Sequence, residues 1–439
     1  ASHFASVHGA ELFDNVRLNV GRSEAVATDP QQRLLLEYGY AALHASAYSR
    51  NELQGSDTGV FLGITNADFA TFLVGSTSVY AATGGTISIA SGRTSFVLGL
   101  QGPCESIDTA CSSAIVAVHS AALSINKGDC AIALATAVNI MLAPHVSISY
   151  AAAGMLSPDG RCKTWDARAN GYVRGEGVGG LVLSRAQTLQ ESKDSNAQAI
   201  LDGSAVRQDG KSASLTAPSG SAQISLIGLA VARATADTAL LTGVESHGTG
   251  TPLGDPTEVR ALTAALPERA AGHSLGGVKA NAGHLEPAAG IIGLAKVLAT
   301  LDQKRAAPNA QLRDLNPHLA GAVSSLQLHA EVGSLVPHER TLGGISSFGY
   351  SGTIAHAVLC SVDVAPAAPA APSAPLKYRR LAFPWDMPKP KAAAGGAMPL
   401  LHTPFLGVPV STSAAELVWE QQFAAHELLF LRNHRVGEV

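Results

Sequence analysis

Residues 106–125 read SIDTACSSAIVAVHSAALSI. A polar turn hands over here to a run with apolar residues at three- and four-residue spacing, the pattern of an amphipathic helix. The spacing predicts that Cys111 sits in the first turn of that helix. The N-terminus of a helix carries partial positive charge and unpaired N–H groups, which favour a thiolate and can hydrogen-bond an oxyanion, so Cys111 is a candidate nucleophile. Alone, a cysteine in an Ala-rich helix reads equally well as a small buried hydrophobe.

Three further segments keep it company. In VESHGTGTPLGDPTE, residues 244–258, an apolar run ends in His247 at a strand end and a Gly/Thr-rich loop follows. A histidine there can donate a hydrogen bond or exchange a proton near neutral pH, and Thr249 and Thr251 offer hydroxyls from the same loop. The bland alternative is a turn histidine satisfied by backbone. GGVKANAGHLEPAAGIIGLAKV, residues 276–297, sets Lys279 and His284 five residues apart before another Ala-rich helix, where Lys279 lends positive charge to a pocket or pairs with a carboxylate. GGISSFGYSGTIAHAVLC, residues 343–360, is a Gly/Ser-rich turn between two strand-like runs, either an ordinary tight hairpin or a frame that presents the backbone N–H of Tyr350.

Around these segments GVFLGI, CAIALATAV, GGLVLS, AILDGSAV and AHAVLC read as strands, and PQQRLLLEYGYAALHAS and PAAGIIGLAKVLATL as helices. That alternation over about residues 1–360 implies an α/β fold with a mainly parallel sheet covered by helices. The composition agrees: 46% hydrophobic but only 5% aromatic residues, with 44 glycines among 439, suits tight packing of small side chains. A formal charge of -4 without a Lys/Arg run gives no footprint for nucleic acid or an anionic membrane. Five cysteines without a C-x-x-C pair point to free thiols in a reducing compartment. No signal-peptide pattern or membrane-length apolar run is present, so a cytoplasmic protein is expected. The chain opens at Ala1 without an initiator Met and reads as a fragment, which leaves a lost organelle-targeting segment open.

Taken together, DTACSS, HGTGTPLGDPTE, GHLEPAAG and SSFGYSGT resemble the motif set of beta-ketoacyl synthases of the modular polyketide type. ATDPQQRLLLE, SGRTSFVLGLQGP and GMLSPDGRCKTWDARANGYVRGEG extend the match, in order, through nearly all of residues 1–360. The resemblance implies a thiolase-like, five-layer αβαβα fold of two similar halves, lacking the family's first N-terminal strand segment, and normally a homodimer. It implies decarboxylative Claisen condensation. Cys111 would accept an acyl chain from the phosphopantetheine of an acyl carrier protein; His247 and His284 would act on a malonyl-type extender; Lys279 would polarise the His284 region. The backbone N–H groups of Cys111 and Tyr350 would form the oxyanion hole, with Thr249 and Thr251 binding the phosphopantetheine arm. No metal or bound cofactor is implied. One departure stands out: Ile354 occupies the place of the family's Asn, which puts the loop around Tyr350 in question.

From residue 362 the composition turns to a Pro/Ala tract, read as a linker over 362–399 after a ketosynthase domain over 1–361, with KYRRLAFPWDMPKPK packing back onto that domain. Residues 400–439, with HTPFLG, VWEQQF and FLRNHRVGEV, resemble the start of a dehydratase hot-dog domain in which His434 would be the catalytic histidine. A dehydratase directly after the condensing domain implies an acyltransferase acting in trans. Two rival readings remain open: a catalytically silent, chain-length-factor-like scaffold, and a serine hydrolase or acyltransferase using Ser274 in GHSLG, against which the flanking segments speak, since Ser274 reads as the start of a strand.

Overall fold

In the computed structural model residues 5–186, 197–335, 340–362 and 376–385 are described, together with the backbone of Val408–Ser413 and Glu416–Glu420. The apolar runs become two sheets. The first contains β1 (Gly59–Gly63), β2 (Cys104–Ile107), β3 (Ile132–Asn139) and β4 (Gly177–Ser184) in the order β2-β1-β3-β4. β1 is parallel to β2 and β3, and β4 is antiparallel to β3. The second contains β5 (Ala199–Gln208), β6 (Leu241–Glu245), β7 (His273–Gly276), β8 (Leu326–Leu328), β9 (Leu342–Phe348) and β10 (Thr353–Ser361) in the order β8-β7-β6-β9-β10-β5. Here β10 alone runs against both its neighbours. The mainly parallel pairing that alternation suggests holds in both sheets, with antiparallel pairing where a tight hairpin such as β9–β10 joins neighbouring strands and at the outer strands β4 and β5.

Six helices cover them: α1 (Pro30–Ala45), α2 (Ile87–Leu98), α3 (Ser113–Lys127), α4 (Gly220–Arg233), α5 (Gly254–Ala265) and α6 (Ala289–Gln303). Helices α1 and α2 lie on the outer face of the first sheet, α4 and α5 on the outer face of the second, and α3 and α6 between the two. That makes five layers. Phe61, Ile115, Val118, Leu294, Val297, Ile345 and Leu359 meet in the middle one. The central helices lie so close that a Cβ on Gly290 of α6 would fall 2.7 Å from Ile115 of α3, which explains part of the demand for glycine. The run β1-α2-β2-α3-β3-β4 has the same order and strand directions as β6-α5-β7-α6-β9-β10, so the two halves repeat one design. The second half adds β5 beside β10; among the described residues nothing pairs with the matching edge of β4.

These elements belong to one compact unit, Ala1–Leu142 with Met155–Trp385, which therefore runs past residue 361. Its last part is held by pairing of Leu381–Ala382 with Leu12–Phe13, by a 2.7 Å ion pair from Arg380 to Glu37, and by Phe383 against the Phe13 ring. A second unit, Ala143–Gly154 with Asp386–Val439, contains a helix at His145–Ala152 and an antiparallel hairpin of the two C-terminal strands. His434 lies outside the described residues. Among those residues no helix is long and apolar enough to cross a membrane.

Candidate active site

Cys111 sits just before α3, whose first residue is Ser113, so it precedes the helix rather than lying in its first turn. The reason is the turn itself. Ala110 adopts φ 55°, a conformation a non-Gly residue holds only when its surroundings enforce it. The motif's hydroxyls supply the enforcement: Ser113 Oγ accepts from the Thr109 N–H at 2.9 Å, and Ser112 Oγ donates to the Thr353 carbonyl at 2.8 Å. Ser347 Oγ donates to the Cys111 carbonyl at 2.7 Å, which ties the turn to β9 of the other half.

His284 brings Nε2 to 3.0 Å from the Cys111 sulfur. Its other nitrogen, Nδ1, accepts the Glu286 N–H at 3.3 Å, so the neutral ring carries its proton on Nε2. His247 repeats the arrangement. Its Nδ1 accepts the Phe348 N–H at 3.2 Å, which leaves Nε2–H as the free donor, and its ring stands edge-on to His284 with centroids 5.6 Å apart. Both imidazoles are held well below the usual histidine range, first by burial and then by the Lys279 ammonium, with His284 adding to the effect on His247 and Arg174 to that on His284. Both are therefore uncharged donors near neutral pH. Burial, and next the Glu286 carboxylate, push the Cys111 thiol up to about 12, against the opposing pull of Lys279 and of the Tyr350 and Cys111 N–H groups.

Lys279 is only 3% exposed. Burial lowers its affinity for a proton, while Glu245 and Glu258 oppose that shift. Glu258 also clamps the histidine loop by accepting from the His247 N–H at 2.6 Å and the Gly248 N–H at 2.8 Å, and Asp255 accepts from Gly250 at 3.0 Å. Gly250 is obligatory there, with φ +78° and the Lys163 nitrogen 2.7 Å from where a Cβ would be. Thr249 and Thr251 place their hydroxyls 3.2 Å apart on this loop. Sequence spacing passes over Asp255 and Glu258, although two acids three apart near the start of α5 share a face.

Tyr350 stands at the β9–β10 hairpin tip, where Gly349 N–H donates to the Thr353 carbonyl at 2.8 Å. Ile354 pairs with Phe348 and buries its side chain with Leu226 and Val358 in the outer apolar layer, so the missing amide is replaced by packing and the hairpin closes normally. Ser274 lies within β7, with Gly243 and Gln327 as strand neighbours, rather than at a strand-to-helix elbow. Its neighbour His273 directs both ring nitrogens at carbonyls, those of Leu241 and Pro267, each at 2.8 Å. No serine nucleophile is built here.

The model for the N-terminal domain of beta-ketoacyl synthases matches residues 2–188, and the model for the C-terminal domain matches residues 198–313. A phenolphthiocerol/phthiocerol polyketide synthase of Mycobacterium tuberculosis is 41% identical over 79% of this chain, which spans 16% of that protein. Polyketide synthase PksN of Bacillus subtilis is 36% identical over 80% of the chain, which spans 7% of it. Among solved structures, the ketosynthase from module 6 of the Bacillus subtilis bacillaene synthase superposes with a TM-score of 0.74 at 35% identity, covering 81% of this chain and 62% of that one. An oxazolomycin ketosynthase domain of Streptomyces albus reaches 0.75 at 31% identity, covering 81% and 63%. Ketosynthase domains have the thiolase-like fold, and with both of its domain models matched in order across the two halves, this chain belongs to the beta-ketoacyl synthase family.

Proposed function

We propose that the chain is a condensing domain that joins acyl units through a thioester on Cys111. The observation that carries this reading is the 3.0 Å approach of His284 Nε2 to the Cys111 sulfur, with His247 beside it as a second donor. The thiol attacks an acyl thioester on a carrier protein's phosphopantetheine arm; its proton leaves with the released phosphopantetheine thiol, and the N–H groups of Cys111 and Tyr350 meet the oxyanion. A malonyl-type thioester then sets its carbonyl oxygen on the Nε2–H groups of His247 and His284. Its carboxylate departs as carbon dioxide, the bonding pair becomes an enolate, and that carbon displaces the Cys111 thiolate, which takes a proton from solvent. Lys279 supports the negative charge, and Thr249 and Thr251 hold the arm. The carrier brings the phosphopantetheine, so the domain itself needs no bound cofactor.

A homodimer is part of the same reading. β2 is the edge strand of the first sheet, and Phe96 on α2 beside it is 86% exposed, which suits pairing with a second copy. The resemblance of residues 400–439 to a dehydratase, with His434 as its histidine, supports a dehydratase neighbour and an acyltransferase acting in trans. The test is peptide mass spectrometry after incubation with a short acyl thioester, alongside Cys111→Ala. Acyl mass on the Cys111 peptide, absent from the variant, followed by product formation with malonyl carrier protein, is expected. Folded protein that stays unlabelled would refute the assignment.

A further inference from the structure

Lys296 has no place in the acyl chemistry, yet its side chain is only 15% exposed. It projects from α6, the central helix that carries Leu294 and Val297 into the core. Its Nζ meets Glu245 Oε2 at 2.8 Å, and the other carboxylate oxygen, Oε1, accepts the Val278 N–H at 2.5 Å. Glu245 ends β6, two residues before His247. Val278 immediately precedes a one-turn helix, Lys279–Ala282, which ends at Gly283 and leads into His284. One carboxylate thus ties together the strand that carries His247, the turn that carries Lys279 and His284, and the helix between the two halves.

The backbone closes the same corner. The N–H and the Oγ of Ser246 both donate to the Gly276 carbonyl, at 2.9 and 2.8 Å. Gly276 can carry no side chain, because a Cβ there would press on the Glu245 carboxylate and stand 2.9 Å from Lys296 Nζ. Lys279 is a second ammonium that acts on Glu245, so two cations compete for one carboxylate. A buried pair of this kind adds little net stability, since desolvation offsets the attraction. Its position between the two histidine-bearing segments is more informative.

We infer that Lys296 is a positioning residue: by engaging Glu245 Oε2 it keeps the carboxylate on the Val278 N–H, and so fixes the turn from which Lys279 and His284 act on the malonyl-type extender. Without Lys296 the carboxylate is drawn toward Lys279 and gives up the bond that holds the turn. The effect falls on the extender step. The turn of Cys111 is held from elsewhere, by the hydroxyls of Ser112, Ser113 and Ser347.

The inference rests on the decarboxylative reading of the site, and the test keeps the two apart. Each protein is assayed for carbon dioxide release from malonyl carrier protein and for acylation of Cys111 by a short acyl thioester. In Lys296→Met the kcat of release should fall roughly 10- to 100-fold, the loss that a small misplacement of reacting groups causes, while acylation changes by less than about threefold. Lys296→Arg keeps the charge and has room in a cavity of about 30 Å³ lined by Lys296, Thr300, Ala306 and Ala307, so its release should stay within about threefold of wild type. Glu245→Gln should slow release as Lys296→Met does. Because Lys296 acts through that carboxylate, adding Lys296→Met to Glu245→Gln should cost less than about threefold more, whereas lost packing at Lys296 would multiply the two losses. That comparison decides the matter even where Lys296→Met alone fails to fold, since the double variant leaves no carboxylate unpaired there. The inference is overturned if release in Lys296→Met matches wild type, if acylation falls with it, if Lys296→Arg shows no recovery, or if the two losses multiply. Wild-type protein that accepts an acyl group but releases no carbon dioxide would sink the parent reading, and the inference with it.

Discussion

Replacing His284 or His247 by alanine separates a proton acceptor from a hydrogen-bond donor. Each Nδ1 is taken by a backbone N–H, that of Glu286 at 3.3 Å or of Phe348 at 3.2 Å, so neither neutral ring keeps a lone pair facing the cleft. Alanine therefore removes a donor, not a base. A preorganised donor at a developing oxyanion is worth about 2.7–4 kcal/mol, or roughly 100- to 1000-fold in rate. Carbon dioxide release from malonyl carrier protein should fall by that factor in each single variant. Acyl loading of Cys111 needs no base, because the thiol proton leaves with the released thiol, so it should fall by less than about tenfold; a lost general base would cost about 100- to 10,000-fold. Stopped-flow acylation with a fluorescent acyl thioester and isotopic release from carboxyl-labelled malonyl carrier protein read the two steps separately. Loading that collapses by more than about 100-fold in a folded His284→Ala protein would refute the donor assignment. Because burial and Lys279 keep both rings uncharged, the decarboxylation rate should also show no histidine titration as pH rises through the ordinary range near 6.5.

Three more expectations follow from the packing. His356 is buried on β10, its Nδ1 2.9 Å from Ser346 Oγ, and burial lowers it from 6.5 to about 3. The unfolded chain therefore takes up a proton as pH falls below about 6.5 while the folded one does not, so stability present above that value is lost on acidification, by about 2 kcal/mol at pH 5. Urea denaturation of His356→Asn should show a correspondingly smaller loss between neutral pH and pH 5, and an unchanged difference would contradict the linkage. Gly290→Val should destabilise the protein by about 1–3 kcal/mol, because its Cβ would press on Ile115 between the central helices, and a denaturation midpoint equal to wild type would argue against the five-layer packing. Phe96→Asp should shift the light-scattering mass from dimer to monomer if β2 and α2 form the self-interface, and an unaltered mass places that interface elsewhere.

Much of this was legible in the chain. The helices over residues 30–45 and 289–303 and the strands around residues 59–63 and 132–139 stand where periodicity puts them, because burying an apolar face of given period is a local requirement. The motifs at Cys111, His247 and His284 could likewise be picked out by residue type and ordered by resemblance. Sequence could not show that they meet: Cys111 and His284 are 173 positions apart and come together only because the halves pack their central helices against each other. Nor does composition show how the strands divide between the two sheets, since strand pairing is a tertiary property. The protonation of the site is further from the sequence still. Glu258, Arg174 and Glu286 are ordinary charged residues in a string of letters. They become a loop clamp and a buried ion pair because tertiary packing removes water and leaves each charge only its neighbours to answer it.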